Sequence, residues 1–485
     1  MQILTPLLIP LVASLLMMLL RRQLHNAIAL ASGLLLLLGV SALLWRVADQ
    51  GELSLALGAW PLPYAIEFRA DGLSALLMLL VALVGLAVQL FQIDWPEQRQ
   101  PAAWQPLQQG LLASTMAVLL AADLFNLYVW FELMLIAVLG LLVAGNGKRH
   151  LEAAMKYFAL SMLGTLLMLA AIGLIYGSTG HLNFGALAEV GSSDDGDASH
   201  NLFVGLLLIA LFVKAGVFPL YAWLPAAYHT LPVPLLALVG GVLTKITLYV
   251  ILRLSGQVFD LSFALDALGW LALITMLSGA LGAAFHWDLR RILAFHIVSQ
   301  IGYLLLGVAL SSAPASTATG FFLAHNMLVK ANLILIAGLM WAAIGHYDLR
   351  RGGGLYPARP WLAAFFLISA FSLVGVPPSS GFWGKFMLLQ EAFNQQHYLW
   401  GGVALASGIL TLYSMVKIWL EGFWKAAPQA NPPTGTSANG TQPVALRPTA
   451  MAAVALLSLS IVALGLSPEP LIAYLQQHNI YNGAP

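Results

Sequence analysis

The sequence predicts an all-α polytopic membrane protein of about fourteen transmembrane helices, with two inverted five-helix repeats and two broken helices. Three observations lead there. Apolar residues make up 60% of the 485 and charged residues only 8%, against roughly 25% charged in soluble domains, and mean hydropathy is +0.85. Apolar runs recur from end to end, each able to cross a hydrocarbon layer of about 30 Å with roughly 20 helical residues. Two of those runs, five segments apart, are interrupted by proline.

In chain order the expected spans are 2–20, 24–46, 70–92, 107–122, 124–146, 150–176, 201–225, 233–254, 262–285, 289–310, 317–343, 361–388, 398–421 and 448–470. The first lacks a basic n-region and a small-residue cleavage pattern, and Arg21 and Arg22 follow it directly, so it reads as a retained helix. With an even number of crossings and the N-terminus outside, the inner loops collect Arg21, Arg22, Arg99, Lys148, Arg149, Arg290, Arg291, Arg350, Arg351, Arg359, Lys425 and Arg447. The outer loops hold only Arg46, Arg69 and Arg253. Retention of Lys and Arg on the cytoplasmic side therefore places both termini outside a cell inner (cytoplasmic) membrane. The acidic stretch 192–200, with Asp194, Asp195 and Asp197, falls in an outer loop on the same scheme.

The seventh span, LFVKAGVFPLYAWLP, carries Lys214 before Pro219, and the twelfth, SLVGVPPSSGFWGKF, carries Pro377 and Pro378 before Lys385. Proline frees backbone carbonyls that lipid cannot satisfy, so such breaks belong where protein or cavity water lines them, and transporters place ion sites there. Helices 4–8 and 9–13 become the two repeats. Five is odd, so the second repeat starts from the opposite side of the membrane. The domain reading is 1–106 for helices 1–3, 107–254 for the first repeat and 262–421 for the second. A flexible linker at 426–448, rich in Pro, Thr, Asn and Gly, then leads to a C-terminal helix and tail at 449–485.

Charge inside these spans is the strongest functional signal. Placing Lys or Glu at mid-bilayer costs at least roughly 2.5–3.5 kcal/mol, so such residues face an interior and serve a purpose. Glu132, Lys214, Lys245, Lys330 and Lys385 lie away from helix ends, and Lys156 and Lys417 lie nearer to them. Only Glu132 is a central carboxylate. Burial and mutual repulsion disfavour an ammonium without a counter-ion, so a row of such amines can accept and release protons. Lys156 has Glu152 four residues earlier and reads equally as a local ion pair or a relay; Lys417 has Glu421 four residues later and reads as structural. His229, His296 and His325 add groups that relay protons near neutral pH. His325 and Lys330 differ by about 140° around one helix and do not share a face.

The composition also excludes functions. With no cysteine there are no disulfides and no thiolate-held iron–sulfur clusters in this chain. The sequence shows no histidine pair at metal-ligand spacing, no glycine-rich phosphate loop and no nucleic-acid motif. No cofactor is expected.

The stretches DLFNLYVWFELMLIA, VKAGVFPLYAWLPAAYHTLPVPLLALVGGVLTK and GVPPSSGFWGKF resemble the antiporter-like subunits shared by Mrp-type multisubunit cation/proton antiporters, respiratory complex I and membrane-bound hydrogenases. The resemblance spans essentially the whole chain, and within the family it is nearest to the D-type group of Mrp antiporter subunits. It implies two inverted five-helix repeats, helices 7 and 12 broken, and action only within a complex of several subunits. Glu132 matches the family's fifth-helix glutamate, Lys214 and Lys245 the seventh- and eighth-helix lysines, Lys330 the eleventh-helix axis lysine and Lys385 the terminal twelfth-helix position. The glutamate and the seventh-helix lysine would form the pair that controls proton release. The expected function is that of a proton-translocating subunit of a monovalent cation (Na+)/H+ antiporter, a secondary transporter component and not an enzyme. The alternatives are a proton-pumping membrane subunit of a complex I-like oxidoreductase or hydrogenase, and a scaffold. The expected partners are the other antiporter subunits, H+, a monovalent cation and the lipid bilayer.

Overall fold

A computed structural model of the chain describes residues 2–58, 60–93, 95, 101–145, 147–191, 198–426 and 448–483. The acidic residues Asp194, Asp195 and Asp197, the basic Arg99 and Arg447, and all but the two ends of the expected linker 426–448 lie outside the described residues. The helices run in the order α1 (Thr5–Leu19), α2 (His25–Gln50), α3 (Gly72–Ile93), α4 (Trp104–Leu120), α5 (Leu124–Val143), α6 (Lys148–Thr179), α7 (Phe184–Gly191), α8 (Ala198–Ala215), α9 (Trp223–Tyr228), α10 (Val233–Leu238), α11 (Thr244–Gln257), α12 (Leu265–Phe285), α13 (Leu289–Ala309), α14 (Ala313–Ile344), α15 (Leu355–Ala358), α16 (Pro360–Val374), α17 (Ser380–Asn394), α18 (Tyr398–Ile418), α19 (Pro448–Leu466) and α20 (Glu469–Gln477).

Among the described residues, 12 helices are long and apolar enough to cross a membrane. The other two expected spans correspond to α4, of 17 residues, and to the pair α16 and α17, of 15 residues each. The breaks fall where proline and glycine require them. After α8 the chain turns at Gly216, with φ of +79°, and passes Pro219 before α9; after α16 it turns at Gly375, with φ of +92°, and passes Pro377 and Pro378 before α17. A positive φ suits glycine because it has no Cβ to clash, and proline then denies the helix its next donor. The eighth span is interrupted too, by a π-helical turn over Val239–Leu243.

Caps set the helix starts. The Asp123 side chain accepts from the Asn126 amide at 2.8 Å to begin α5, and the Asp288 side chain accepts from the Arg290 and Arg291 amides to begin α13. The two starts share a second feature. Leu124 N donates to Leu182 O and Phe184 N to Ala122 O, just as Leu289 N donates to Tyr347 O and Leu349 N to Trp287 O. Each half thus ties the start of one helix to the loop that follows the next, and the helices that precede these loops, α6 and α14, both end on a left-handed glycine, Gly180 and Gly345.

α14 is the hub. It packs against α3, α10, α13, α16, α17 and α19 and is buried along nearly its whole length. In lipid, apolar surface alone does not drive helices together, so close backbone approach and polar contacts must. Gly279 and Gly302 supply that approach between α12 and α13, each standing directly against the partner helix's backbone.

A two-stranded antiparallel ribbon, β1 (Leu53–Leu57) and β2 (Ile66–Ala70), adds a small sheet that the helical pattern does not announce. Arg69 on β2 pairs with Glu52 at 3.0 Å and Glu67 at 3.2 Å. Arg253, expected in an outer loop, is instead buried in α11. It donates to Ala121 O at 3.0 Å and to the Tyr249 hydroxyl at 3.1 Å, and pairs with Asp71 at 3.6 Å. Arg253 falls in the last turn of the expected span 233–254 rather than in the loop after it, and neighbouring oxygens make burial of the guanidinium tolerable.

Candidate functional site

The Glu132–Lys214 pair is present, with a third member. Lys214 Nζ lies 3.6 Å from Glu132 Oε1. Thr165 of α6 stands between them: its hydroxyl donates to Glu132 Oε1 at 2.5 Å and accepts from Lys214 Nζ at 3.0 Å. The face of Phe131 lies 5.4 Å from the same ammonium. Lys214 occupies the last turn of α8, immediately before the break, so the helix end and the ion pair coincide. A cavity of about 30 Å³, room for a water molecule, adjoins Lys214 and reaches Tyr157, Ser161, Tyr228 and Thr247.

Lys245 and Lys385 meet oxygens of the backbone rather than carboxylates. Lys245 is fully buried and donates to Gly240 O at 2.7 Å, within the π-helical turn. A π turn displaces carbonyls from the regular ladder, and this one presents an acceptor to the amine. Lys385 donates to Leu373 O at 3.0 Å and Val374 O at 2.9 Å, the last carbonyls of α16, and its ammonium lies 4.8 Å from the Tyr303 ring. Both broken helices therefore gather a lysine at the break, one from the preceding half and one from the following half. Lys330 is buried on α14, and among the described residues its Nζ has no hydrogen-bond partner.

The histidines divide. His325 Nδ1 meets the Ser380 hydroxyl at 2.9 Å, which in turn lies 2.7 Å from Ser372 Oγ, while Nε2 has no partner among the described residues. His296, fully buried on α13, has neither ring nitrogen hydrogen-bonded within the described residues. Gln300, one turn along the same face, and Asn326, one turn before Lys330, are equally unsatisfied. His229 lies apart, its Nδ1 2.8 Å from Pro225 O, at the edge of a cavity of about 490 Å³.

Two nearby lysines behave otherwise. Lys156 sits on the exposed side of α6, paired with Glu152 at 2.6 Å, outside the buried row. Lys417 does not reach Glu421, as its i, i+4 spacing suggested; Glu421 pairs with Lys425 at 3.0 Å. Lys417 turns inward and donates to Ala284 O and His286 O, both at 2.7 Å, where its charge faces the negative end of α12. No cluster of three or more His, Cys, Asp or Glu side chains placed to hold a metal occurs among the described residues.

Sequence reasoning missed Thr165, Gln300, Asn326, Ser372 and Ser380. A signal existed for Thr165: it follows the cap Asp123 at the same distance along the chain as Lys330 follows the cap Asp288. Gln300 and Asn326 could have been found from the one-turn spacing to His296 and Lys330.

Residues 121–411 match the family described as NADH:quinone oxidoreductase/Mrp antiporter, transmembrane. The chain is 38% identical to the D subunit of the Na(+)/H(+) antiporter of Alkalihalophilus pseudofirmus over 78% of this chain and 77% of that one. It is 34% identical to the corresponding Na(+)/H(+) antiporter chain of Bacillus subtilis over 89% of each. Among solved structures, a chain of the Mrp complex from Dietzia sp. DQ12-45-1b superposes with a TM-score of 0.88 at 30% identity, covering 99% of this chain and 97% of that chain.

Proposed function

The chain belongs to the NADH:quinone oxidoreductase/Mrp antiporter transmembrane family, and on that basis we propose that Glu132, Thr165 and Lys214 control proton movement through it. It is a multi-pass membrane protein and a subunit of a multisubunit monovalent cation/proton antiporter, a transporter component and not an enzyme. Its partners are the other subunits of that complex, with H+ and Na+ as the exchanged ions.

The observation that carries the mechanism is the asymmetry of charge. One carboxylate, Glu132, meets one lysine through a hydroxyl, while Lys245, Lys330 and Lys385 have no carboxylate partner among the described residues. Protonation of Glu132 would release Lys214 from its only counter-charge and change how readily that amine holds a proton. The buried row Lys214, Lys245, Lys330 and Lys385, with His296 and His325, forms the proton path, and water bridging the unpaired polar groups completes it. His229 sits at its edge, and Lys156 takes no part in the buried row. Pro219, Pro377 and Pro378 keep the two breaks open so that lysines and freed carbonyls meet.

The matching hydrogen bonds around Asp123 and Asp288 support two repeats, 107–254 and 262–421, between the N-terminal helices of 1–106 and the C-terminal helix after residue 448. The distribution of basic residues supports a cytoplasmic membrane location with both termini outside.

The test is cation/proton exchange in everted vesicles holding the whole complex, wild type against Glu132→Gln at matched assembly. Sodium-dependent proton movement that disappears in the variant supports the mechanism. Unchanged exchange in the variant removes Glu132 from it, and cation-independent pumping on adding a reductant overturns the antiporter reading.

A further inference from the structure

The cavity of about 490 Å³ beside His229 is walled by the first turns of α6 and α13 and by the turn after α9. Its charged lining is unbalanced. Arg149, Lys156, Arg290 and Arg291 face it against only Glu152 and Asp288. Glu152 is engaged with Lys156 at 2.6 Å, and Asp288 is engaged with the Arg290 and Arg291 amides and, at 3.7 Å, with the Arg290 guanidinium. Arg149 and Arg291 pair with no carboxylate among the described residues, and Arg290 Nε is buried without a hydrogen-bond partner there. Burial chiefly holds the His229 imidazole below its ordinary value; the hydrogen bond to Pro225 O opposes this, and the charges of Arg291 and Arg290 add to it.

Two guanidiniums without counter-ions in one polar cavity, at the open ends of two helices, match the forked oxygens of a phosphate group. On the face of α6 next to that of Glu152 and Lys156, about 100° around the helix, Leu151, Met155 and Phe158 are exposed. A basic cavity beside an exposed apolar helix face suits a ligand with a charged head and a hydrocarbon tail. We propose that this cavity binds the phosphate headgroup of an anionic phospholipid, with Arg149 and Arg291 as its principal contacts and the acyl chains along α6. On the orientation proposed above the cavity opens to the cytoplasmic leaflet, where anionic lipids concentrate. The site borders the proton path only through His229, so occupancy and transport are separable.

Phosphatidylglycerol titrated onto the assembled complex and resolved by native mass spectrometry tests the assignment. Arg149→Gln with Arg291→Gln should weaken the tightest lipid site by roughly thirtyfold, at about fivefold for each basic side chain at an anionic membrane surface. The charge-matched control Arg21→Gln with Arg359→Gln should leave it unchanged. Equal weakening by both pairs, or by neither, overturns the site. Displacement of the lipid by millimolar inorganic phosphate assigns the cavity to a free anion and overturns the lipid source. Should the double variant not assemble, photoreactive phosphatidylglycerol on the wild-type complex decides: label within 148–158 or 288–292 supports the site, and label only elsewhere overturns it.

Discussion

Lys330 has a long apolar stem, a buried amine and no hydrogen-bond partner among the described residues. Nothing in that arrangement stabilises the fold, since a buried polar group left unpaired costs roughly 1–3 kcal/mol. Lys330→Met should therefore raise the thermal melting point of the assembled complex, or leave it unchanged, while abolishing exchange; a fall in melting point together with loss of exchange would assign Lys330 a structural role. Thr165 is the opposite case, because its hydroxyl satisfies Glu132 and Lys214 at once. Thr165→Val leaves both groups short of a partner, a loss of roughly 1–3 kcal/mol that slows exchange by about tenfold if it falls on the rate-limiting step. Thr165→Ser keeps the hydroxyl and should restore most of the rate, measured as initial proton flux after a sodium pulse. Glu132 and the lysines were legible as charges inside apolar runs. Thr165 was not, because a threonine costs little in a helix and its meaning lies in what it touches.

Among the elements, the two breaks rest on left-handed glycines. At Gly216 and Gly375 a β-branched residue would have to adopt a conformation costing roughly 1–2 kcal/mol, with φ of +79° and +92° in the native chain. Gly216→Val and Gly375→Val should each lower the melting point of the complex. Gly173→Ala in the exposed helical interior of α6 should raise it slightly, as alanine is the better helix former by about 1 kcal/mol; no heavy atom lies within 4 Å of where its Cβ would stand. The proline breaks of the seventh and twelfth spans were readable from Pro219, Pro377 and Pro378. The π turn at Val239–Leu243 was not, since the Gly240–Gly241 pair permits a distortion without requiring it. The ribbon of β1 and β2 escaped for another reason: it lies in a loop between spans, where a five-residue strand is too short for alternation to stand out.

Across the bundle as a whole, a few charges are buried among the described residues, Lys245, Arg253, Lys330, Lys385 and Lys417 among them, while most lie at exposed helix ends and loops. α14, which carries Lys330, packs against both the π turn that holds Lys245 and α17, which carries Lys385. His296 on α13, which also packs against α14, is buried without a hydrogen-bond partner among the described residues. These buried titratable groups come from helices far apart in the chain. The Glu132 pair is the only place where a carboxylate meets a largely buried lysine among the described residues. The Asp123 and Asp288 junctions repeat one hydrogen-bond pattern, so both halves orient their helices by the same local device.

That this chain crosses a membrane many times, that its seventh and twelfth spans break at proline, and that Glu132, Lys245, Lys330 and Lys385 lie inside can be read along the chain. Those properties follow from hydrophobic run length, from proline chemistry and from the cost of an isolated charge in lipid, and each acts locally. The partnering of the charges is settled by the folded bundle instead. Folding turned Lys417 onto the end of α12, left Lys156 on the exposed face of α6, buried Arg253 against Asp71 and set Thr165 between Glu132 and Lys214. Pairing depends on distances of a few ångströms between helices remote in sequence, which neither spacing nor composition encodes.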